Sequence, residues 1–255
     1  MVRGLRAVVS DVEVNVRDTE NLAQHAYSLI GAEYYDAAHI TCRNFDVTVD
    51  SYLEQYRPAL RTGSRYLEVG CGRSRLLPYS RPDVKVVLMD ISKAMLAHSP
   101  LPSRCVSALL GSAFRLPFSE GIFSTAFAFL ADPFMQAPYT AELWRTVAAG
   151  GNIVQIVPAY EWGAPLRASR QSPAHFSHFF RGTREAFGPS FLHPKADLIR
   201  LVADAGFDEI RLTDLFLPSA VPIESVSPDI RMPAELLGCS PYELPLLTVV
   251  EAARN

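Results

Sequence analysis

The chain has 255 residues, 49% apolar and 20% charged, a composition that excludes a disordered, collagen-like or disulfide-stapled protein. Its 24 Lys and Arg against 27 Asp and Glu leave a formal charge of -3, so no basic field draws a phosphate backbone or an anionic membrane surface. Nucleic acid and membrane are therefore not expected partners.

Residues 1–60 read as an N-terminal extension and lid. An alternating run, Val12, Val14 and Val16, is followed by an aromatic and polar patch from Tyr27 to Phe45. A helical pattern then runs through Val49, Tyr52, Leu53, Tyr56 and Leu60. The alternating run is suited either to pairing with a second copy, giving a homodimer, or to covering its own sheet edge. No apolar run reaches the length of a secretory core or of a membrane span, and the expected location is cytoplasmic. Cys42, Cys71, Cys105 and Cys239 show no C-x-x-C spacing, which points to reduced thiols and to no metal site.

Residues 61–255 read as one α/β domain. Strands are predicted near 65–69, 85–89, 105–110, 122–129, 152–157, 207–214 and 245–251, with helices over 138–149 and 194–205. Val84-Lys85-Val86-Val87-Leu88-Met89 is nearly all apolar, as a strand covered on both faces requires. The two helices start at Pro138 and Pro194 and stop at Gly150-Gly151 and Gly206. The expected architecture is a seven-stranded, doubly wound, mostly parallel sheet. Residues 158–193, rich in Pro, Gly, His and Phe, form an insert after the fifth strand.

Tyr66-Leu67-Glu68-Val69-Gly70-Cys71-Gly72-Arg73-Ser74 is a strand running into a glycine turn that is expected to open a helix. Such a turn lies at the carboxyl edge of a doubly wound sheet, where nucleotide-like ligands bind. Arg75 stands where a dinucleotide fingerprint needs a small residue, and a P-loop Gly-Lys-Ser/Thr is absent, so NAD and ATP are disfavoured. Asp90 closes the second strand, where a carboxylate can accept both hydroxyls of a ribose.

Leu67–Ser74 resembles the first motif of class I S-adenosylmethionine-dependent methyltransferases, E/D-x-G-x-G, and Asp90 resembles their second-strand acid. Leu110–Phe118 is similar to the G-D-A-x-x-L-P-F segment of the small-molecule subgroup. Leu143–Gly151 resembles its L-x-R-V-L-K-P-G-G signature, and Ala205-Gly206-Phe207 its A-G-F. The resemblance spans roughly 60–157 and 194–251 and implies a Rossmann-like methyltransferase fold. The Asp of G-D-A, which bonds the adenine amine in the family, is Ser112 here, and the Asp of the fourth-strand F-D is Ser124.

The resemblance implies S-adenosylmethionine as cofactor, S-adenosylhomocysteine as product and a small-molecule acceptor methylated on oxygen, nitrogen or carbon. It places Gly70, Cys71 and Gly72 beside the methionine part, Glu68 toward its ammonium, Asp90 on the ribose and Ile91 against adenine. Ser112, Ala113 and Phe129 complete the cofactor set, with Tyr35 from the lid. Arg43 and Arg73 are candidates for the methionine carboxylate. An acceptor that needs a general base has His39, His175 and His178 as candidates, with His193 nearby. Ser112 and Ser124 also leave open a repurposed fold that binds cofactor without transferring methyl.

Overall fold

The computed structural model describes residues 15–101, 103–172, 175–181 and 183–255. Two helices, α1 (Val16–Ile30) and α2 (Ile40–Tyr56), precede β1 (Arg65–Val69), β2 (Lys85–Asp90), the short α3 (Lys93–Leu96), β3 (Val106–Leu110) and β4 (Phe123–Phe129). There follow α4 (Ala137–Thr146), β5 (Val147–Pro158), α5 (Tyr160–Arg170), β6 (Phe176–Arg181), β7 (Arg184–Pro189), α6 (Lys195–Asp204), β8 (Asp208–Phe216), α7 (Pro228–Leu237) and β9 (Pro245–Arg254).

Seven strands form one sheet in the order β3-β2-β1-β4-β5-β9-β8. β1 to β5 run parallel, and β9 and β8 close the sheet antiparallel. β1 is therefore flanked by β2 and β4, and the strand order reverses there, opening a crevice beyond the carboxyl ends of these three strands.

Strand alternation sends side chains into two cores. Leu67, Val69 and Ile153 meet Tyr139 and Leu143 of α4 and Leu198 and Val202 of α6. On the other face, Tyr66, Val154 and Ile156 meet Val49 and Leu53 of α2, Trp162 of α5 and Ile230 of α7. Both faces are covered, as near-continuous apolar strands demand.

Several expectations shift. The glycine turn opens no α-helix: a single 3-10 turn, Leu77–Tyr79, follows it, with Pro78 in its first positions, where its missing N–H is tolerated. The face left open is filled by Val49 and Leu53 of α2, packed with Leu76, Val84 and Val86. The helix expected to 149 ends at Thr146, since Val147 already pairs with Phe123 as the start of β5. Val12 and Val14 lie outside the described residues. Val16 starts α1 rather than continuing a strand, because Asn15 caps that helix by accepting the Asp18 N–H at 3.0 Å.

The insert is α5 followed by the antiparallel β6–β7 hairpin, a separate two-stranded sheet. It packs on α1: Arg181 Nε donates to Glu33 Oε1 at 2.9 Å, and the Tyr27 and Phe179 rings lie 5.5 Å apart. Extension and insert thus meet as one cover.

Candidate active site

The turn after β1 has φ of +63° at Gly70 and +44° at Gly72, the left-handed region that disfavours side chains. Space also demands glycine: a Cβ on Gly72 would stand 2.4 Å from the Tyr35 hydroxyl, and one on Gly70 3.0 Å from Ala131 Cβ. The turn is clasped from β2. Cys71 N–H donates to Met89 O (3.0 Å), Gly72 N–H to Asp90 Oδ2 (2.9 Å) and Ser92 N–H to Asp90 Oδ1 (2.8 Å). Each Asp90 oxygen keeps a lone pair for a further donor, such as one hydroxyl of a ribose diol. Burial pushes this carboxyl up to about 6, with the backbone donors of Ser92, Gly72 and Ile91 pulling the other way.

Tyr35, Gly70, Cys71, Asp90, Ile91 and Phe129 line a cleft of about 570 Å³ at this edge. Burial raises the Cys71 thiol well above its ordinary range and holds it neutral. A cradle without side chains beside a buried carboxylate with free lone pairs fits an adenosyl ligand. Asp90 would hold its ribose, and the turn would pass its amino-acid part.

Glu68 is turned away from this cleft, contrary to its expected role at the ammonium. Its carboxylate accepts the Ser74 hydroxyl and, at 2.9 Å, the Arg75 N–H, so it braces the chain leaving the turn in place of the missing helix. Only 1% exposed, it is pushed up to about 7 by burial.

Arg43 is also corrected. Its guanidinium donates to the carbonyls of Tyr35 and Tyr34 at 3.0 Å each and pairs with Asp46 at 2.7 Å, so it fixes the lid and does not line the cleft. Two cations do line it: Arg75, paired with Asp46 and Asp50, and half-exposed Arg73, whose guanidinium lies 4.4 Å from the Tyr35 ring centre. Arg43, Arg73 and Arg75 gather around Asp46 and Asp50, a surplus of one positive charge (3 − 2) at the mouth of the turn.

Gly72, Ser112 and Ala113 do not line the cleft either. Gly72 lies beneath Tyr35, whose hydroxyl accepts the Arg73 N–H at 2.7 Å. Ala113 is core, packed in the cluster that holds Ala23 of α1. Ser112 is hydrogen-bonded to Glu20 of α1.

A second cleft, about 2030 Å³ and open to solvent, lies between the start of α2, α5 and the β6–β7 hairpin. It shares Tyr27, Tyr34 and Leu130 with the first, so the two meet past the end of β4. The chain turns sharply here: Leu130 has φ of +62°, a strained value for a branched residue. Asp132, 7% exposed, lines the second cleft. Burial pushes its carboxyl up to about 6, opposed by a Ser190 hydrogen bond and the Arg167 charge. Arg167 Nη2 is itself held by Ser190 O (2.8 Å) and Oγ (2.9 Å). Tyr27 bridges the clefts, its phenol raised by burial and further by Asp132 and Asp90.

Of the expected bases, His39 and His178 line this second cleft and His175 does not. The His175 ring lies tilted 5.3 Å from Phe191, and burial, with the Arg167 and His193 charges, lowers its pKa. His178 stands 3.0 Å from Glu185 and stacks on Phe187 at 4.3 Å. His193 Nε2 is held 2.7 Å from Met135 O. Sequence reasoning missed Asp132; its signal was an acid three positions past the last residue of β4 (132 − 129), followed by proline. Among the described residues, no group of three or more His, Cys, Asp and Glu is placed to hold a metal ion.

Reversed strand order, glycine turn and second-strand acid together define the class I methyltransferase arrangement. Residues 67–155 match the family model of a methyltransferase domain. Residues 67–155 are thus a methyltransferase domain, on a fold shared with S-adenosylmethionine-dependent methyltransferases. Its fold is similar to that of the Streptomyces coelicolor geranyl diphosphate C-methyltransferase, at 14% identity and TM-score 0.61, covering 93% of this chain and 98% of the other. An S-adenosylmethionine-dependent methyltransferase of Thermotoga maritima aligns at 20% identity and TM-score 0.57, covering 91% and 100%. A chain of the Haloferax volcanii complex between the Trm112 methyltransferase activator and a methyltransferase aligns at 14% identity and TM-score 0.67, covering 91% and 97%. No curated protein matches the sequence. Among the described residues, no helix is long and apolar enough to cross a membrane.

Proposed function

We propose that the enzyme methylates a small organic acceptor held in the second cleft, and that Asp132 takes the acceptor's proton. The observation that carries this is the meeting of the clefts: Tyr27, Tyr34 and Leu130 wall both, so an acceptor in one adjoins a methyl donor in the other. S-adenosylmethionine, when bound, supplies a methyl carbon activated by a positively charged sulfur.

The protein's own task is alignment and exclusion of water. Asp90 and the turn hold the donor, while Phe45, Trp162 and Phe179 provide apolar walls for the acceptor's body. Tyr27 and Tyr34, partly buried and un-ionised, seal the junction. Asp132 has the position and the raised pKa of a base working near neutrality. His39 and His178 line the same cleft, but His178 is half-exposed on the hairpin and paired with Glu185, and His39 stands at the N-cap position of α2 without a side-chain capping bond. A small acceptor also agrees with the Streptomyces coelicolor relative, whose complex holds geranyl diphosphate. In this reading residues 1–60 and the 158–193 insert act as the lid on the methyltransferase domain.

The test is incubation with methyl-labelled S-adenosylmethionine and a panel of phenols, aryl amines and carbon nucleophiles. Label should enter a small product, and Asp132→Asn should lower turnover roughly 100-fold or more while binding of S-adenosylhomocysteine persists. Label recovered only in a protein would overturn the small-acceptor reading. Full turnover in the Asn variant would remove the role of Asp132.

A further inference from the structure

We infer that Arg167 is a catalytic residue of the acceptor cleft, facing the negative charge left on the acceptor once Asp132 takes its proton. The acceptor is accordingly an acidic hydroxyl compound, a phenol or an enol, and not an amine. This rests on the reading of Asp132 as the base.

Helical spacing delivers the guanidinium. Gly163, Leu166, Arg167 and Arg170 recur at i, i+3, i+4 and i+7, one face of α5, and all four line the cleft. Gly163 lets that face lie close to its neighbours, since a Cβ there would run into the Leu192 side chain. The two arginines differ in what they meet. Arg170 is exposed and paired with Asp229 at the start of α7, so those two charges cancel. Arg167 is half-buried, and its Nη2 donates to the Ser190 carbonyl at 2.8 Å and hydroxyl at 2.9 Å, both neutral acceptors.

Ser190 also brings the base alongside. Phe191 N–H donates to Asp132 O at 3.2 Å, which joins the chain after β7 to the turn after β4. Burial raises the Asp132 carboxyl, while the Ser190 hydroxyl and the Arg167 charge draw it down. Burial lowers Arg167 to about 10, with Asp132 opposing, so the guanidinium stays charged across the neutral range. Burial and the same cation, with His193, lower the His175 pKa. The base thus works beside a fixed positive charge.

Charge balance gives the substrate class. While Asp132 is ionised it offsets Arg167, as Asp229 offsets Arg170. When the acceptor's O–H bond breaks, its proton goes to an Asp132 oxygen and the bonding pair stays on the acceptor's oxygen. Asp132 is then neutral, and Arg167 faces the new oxyanion. That pair forms the bond to the methyl carbon as the carbon–sulfur pair passes to sulfur, and the oxyanion and sulfonium charges vanish together. The proton on Asp132 returns to solvent. An amine instead becomes positive when it takes methyl, and that charge would be set against the guanidinium.

The full chain with S-adenosylhomocysteine is titrated with a panel of nitrophenols, whose absorbance reports their own ionisation, and with nitroanilines of the same shape. Bound nitrophenol should ionise at a pH lower than in free solution by about one unit or more, and should bind roughly tenfold or more tightly than the matching nitroaniline. Arg167→Met should abolish both effects, and Arg167→Lys, which keeps the charge and loses the planar fork, should restore part of them. Asp132→Asn should keep the shift, since it removes an anion and leaves the cation. Each shift and ratio is taken within one protein, so a general loss of stability cancels. A wild type that prefers the nitroaniline, binds neither or shows no shift, or a shift that survives in Arg167→Met, overturns the assignment. Full turnover in Asp132→Asn with the shift intact strikes the base alone and leaves Arg167 holding the anion.

Discussion

Asp90 Oδ2 accepts the Gly72 N–H at 2.9 Å, so the acid closing β2 is also the clasp of the turn that ends β1. One carboxylate shapes the cradle and faces what lies in it. Asp90→Asn keeps an acceptor for only one of the two backbone donors and loses the charge-assisted contacts to a diol. Affinity for S-adenosylhomocysteine should fall by about 1.5–3 kcal/mol, the range for hydrogen bonds to a charged group. Calorimetric titration reads this, and an unchanged dissociation constant would refute the ribose role.

Ionisation of the same group makes binding depend on pH. A diol donates best to the charged carboxylate, so affinity should rise as pH increases through about 6 and level off above it. An opposite slope would place the ligand elsewhere.

Asp132 makes stability depend on pH in a different way. Burial raises its carboxyl from the ordinary 3.8 to about 6, so between these values the folded chain holds a proton that the unfolded chain has lost. The stability it lends is complete below 3.8 and is lost as pH rises through about 6. Asp132→Asn removes that dependence. Thermal melts should show the variant gaining on wild type as pH rises from about 4 and levelling off above about 6; a constant gap contradicts the assignment.

Arg73 should matter only for ligands with a carboxylate. Arg73→Ala should weaken S-adenosylhomocysteine by about 1 kcal/mol, a modest value because the guanidinium is 48% exposed. Methylthioadenosine, which lacks the carboxylate, should bind as to wild type. Equal weakening of both ligands counts against a direct contact.

The cover has its own weak point at Gly188. A Cβ there would stand 2.6 Å from the Phe179 ring and 3.2 Å from Ala26 Cβ, at the seam between the hairpin and α1. Gly188→Val should therefore loosen both together, raising hydrogen exchange in α1, β6 and β7 while β1 and β4 stay protected. Loosening confined to the hairpin would mean that the two are not one unit.

Periodicity and punctuation made the sheet readable before any coordinates: the seven expected strands overlap the seven observed, because a strand buried on both faces must be apolar along its length. The glycine turn and Asp90 were legible for a related reason, since backbone freedom and a strand-end acid are local requirements. The missing helix after the turn was not, because its place is taken by α2, more than twenty positions earlier (77 − 56 = 21).

Chain chemistry alone settled the seven strands of the main sheet but not the β6–β7 hairpin of the insert. Side-chain direction was settled only by folding. Glu68 and Arg43 looked like ligand contacts and became braces once Arg75 and Asp46 came within reach. Asp132 looked ordinary until the insert closed over the sheet edge and brought Ser190 and Arg167 to it. Hydrophobic pattern acts through neighbours in the chain, whereas the environment of a charge also includes groups that only folding brings near, such as Asp46, 29 positions from Arg75.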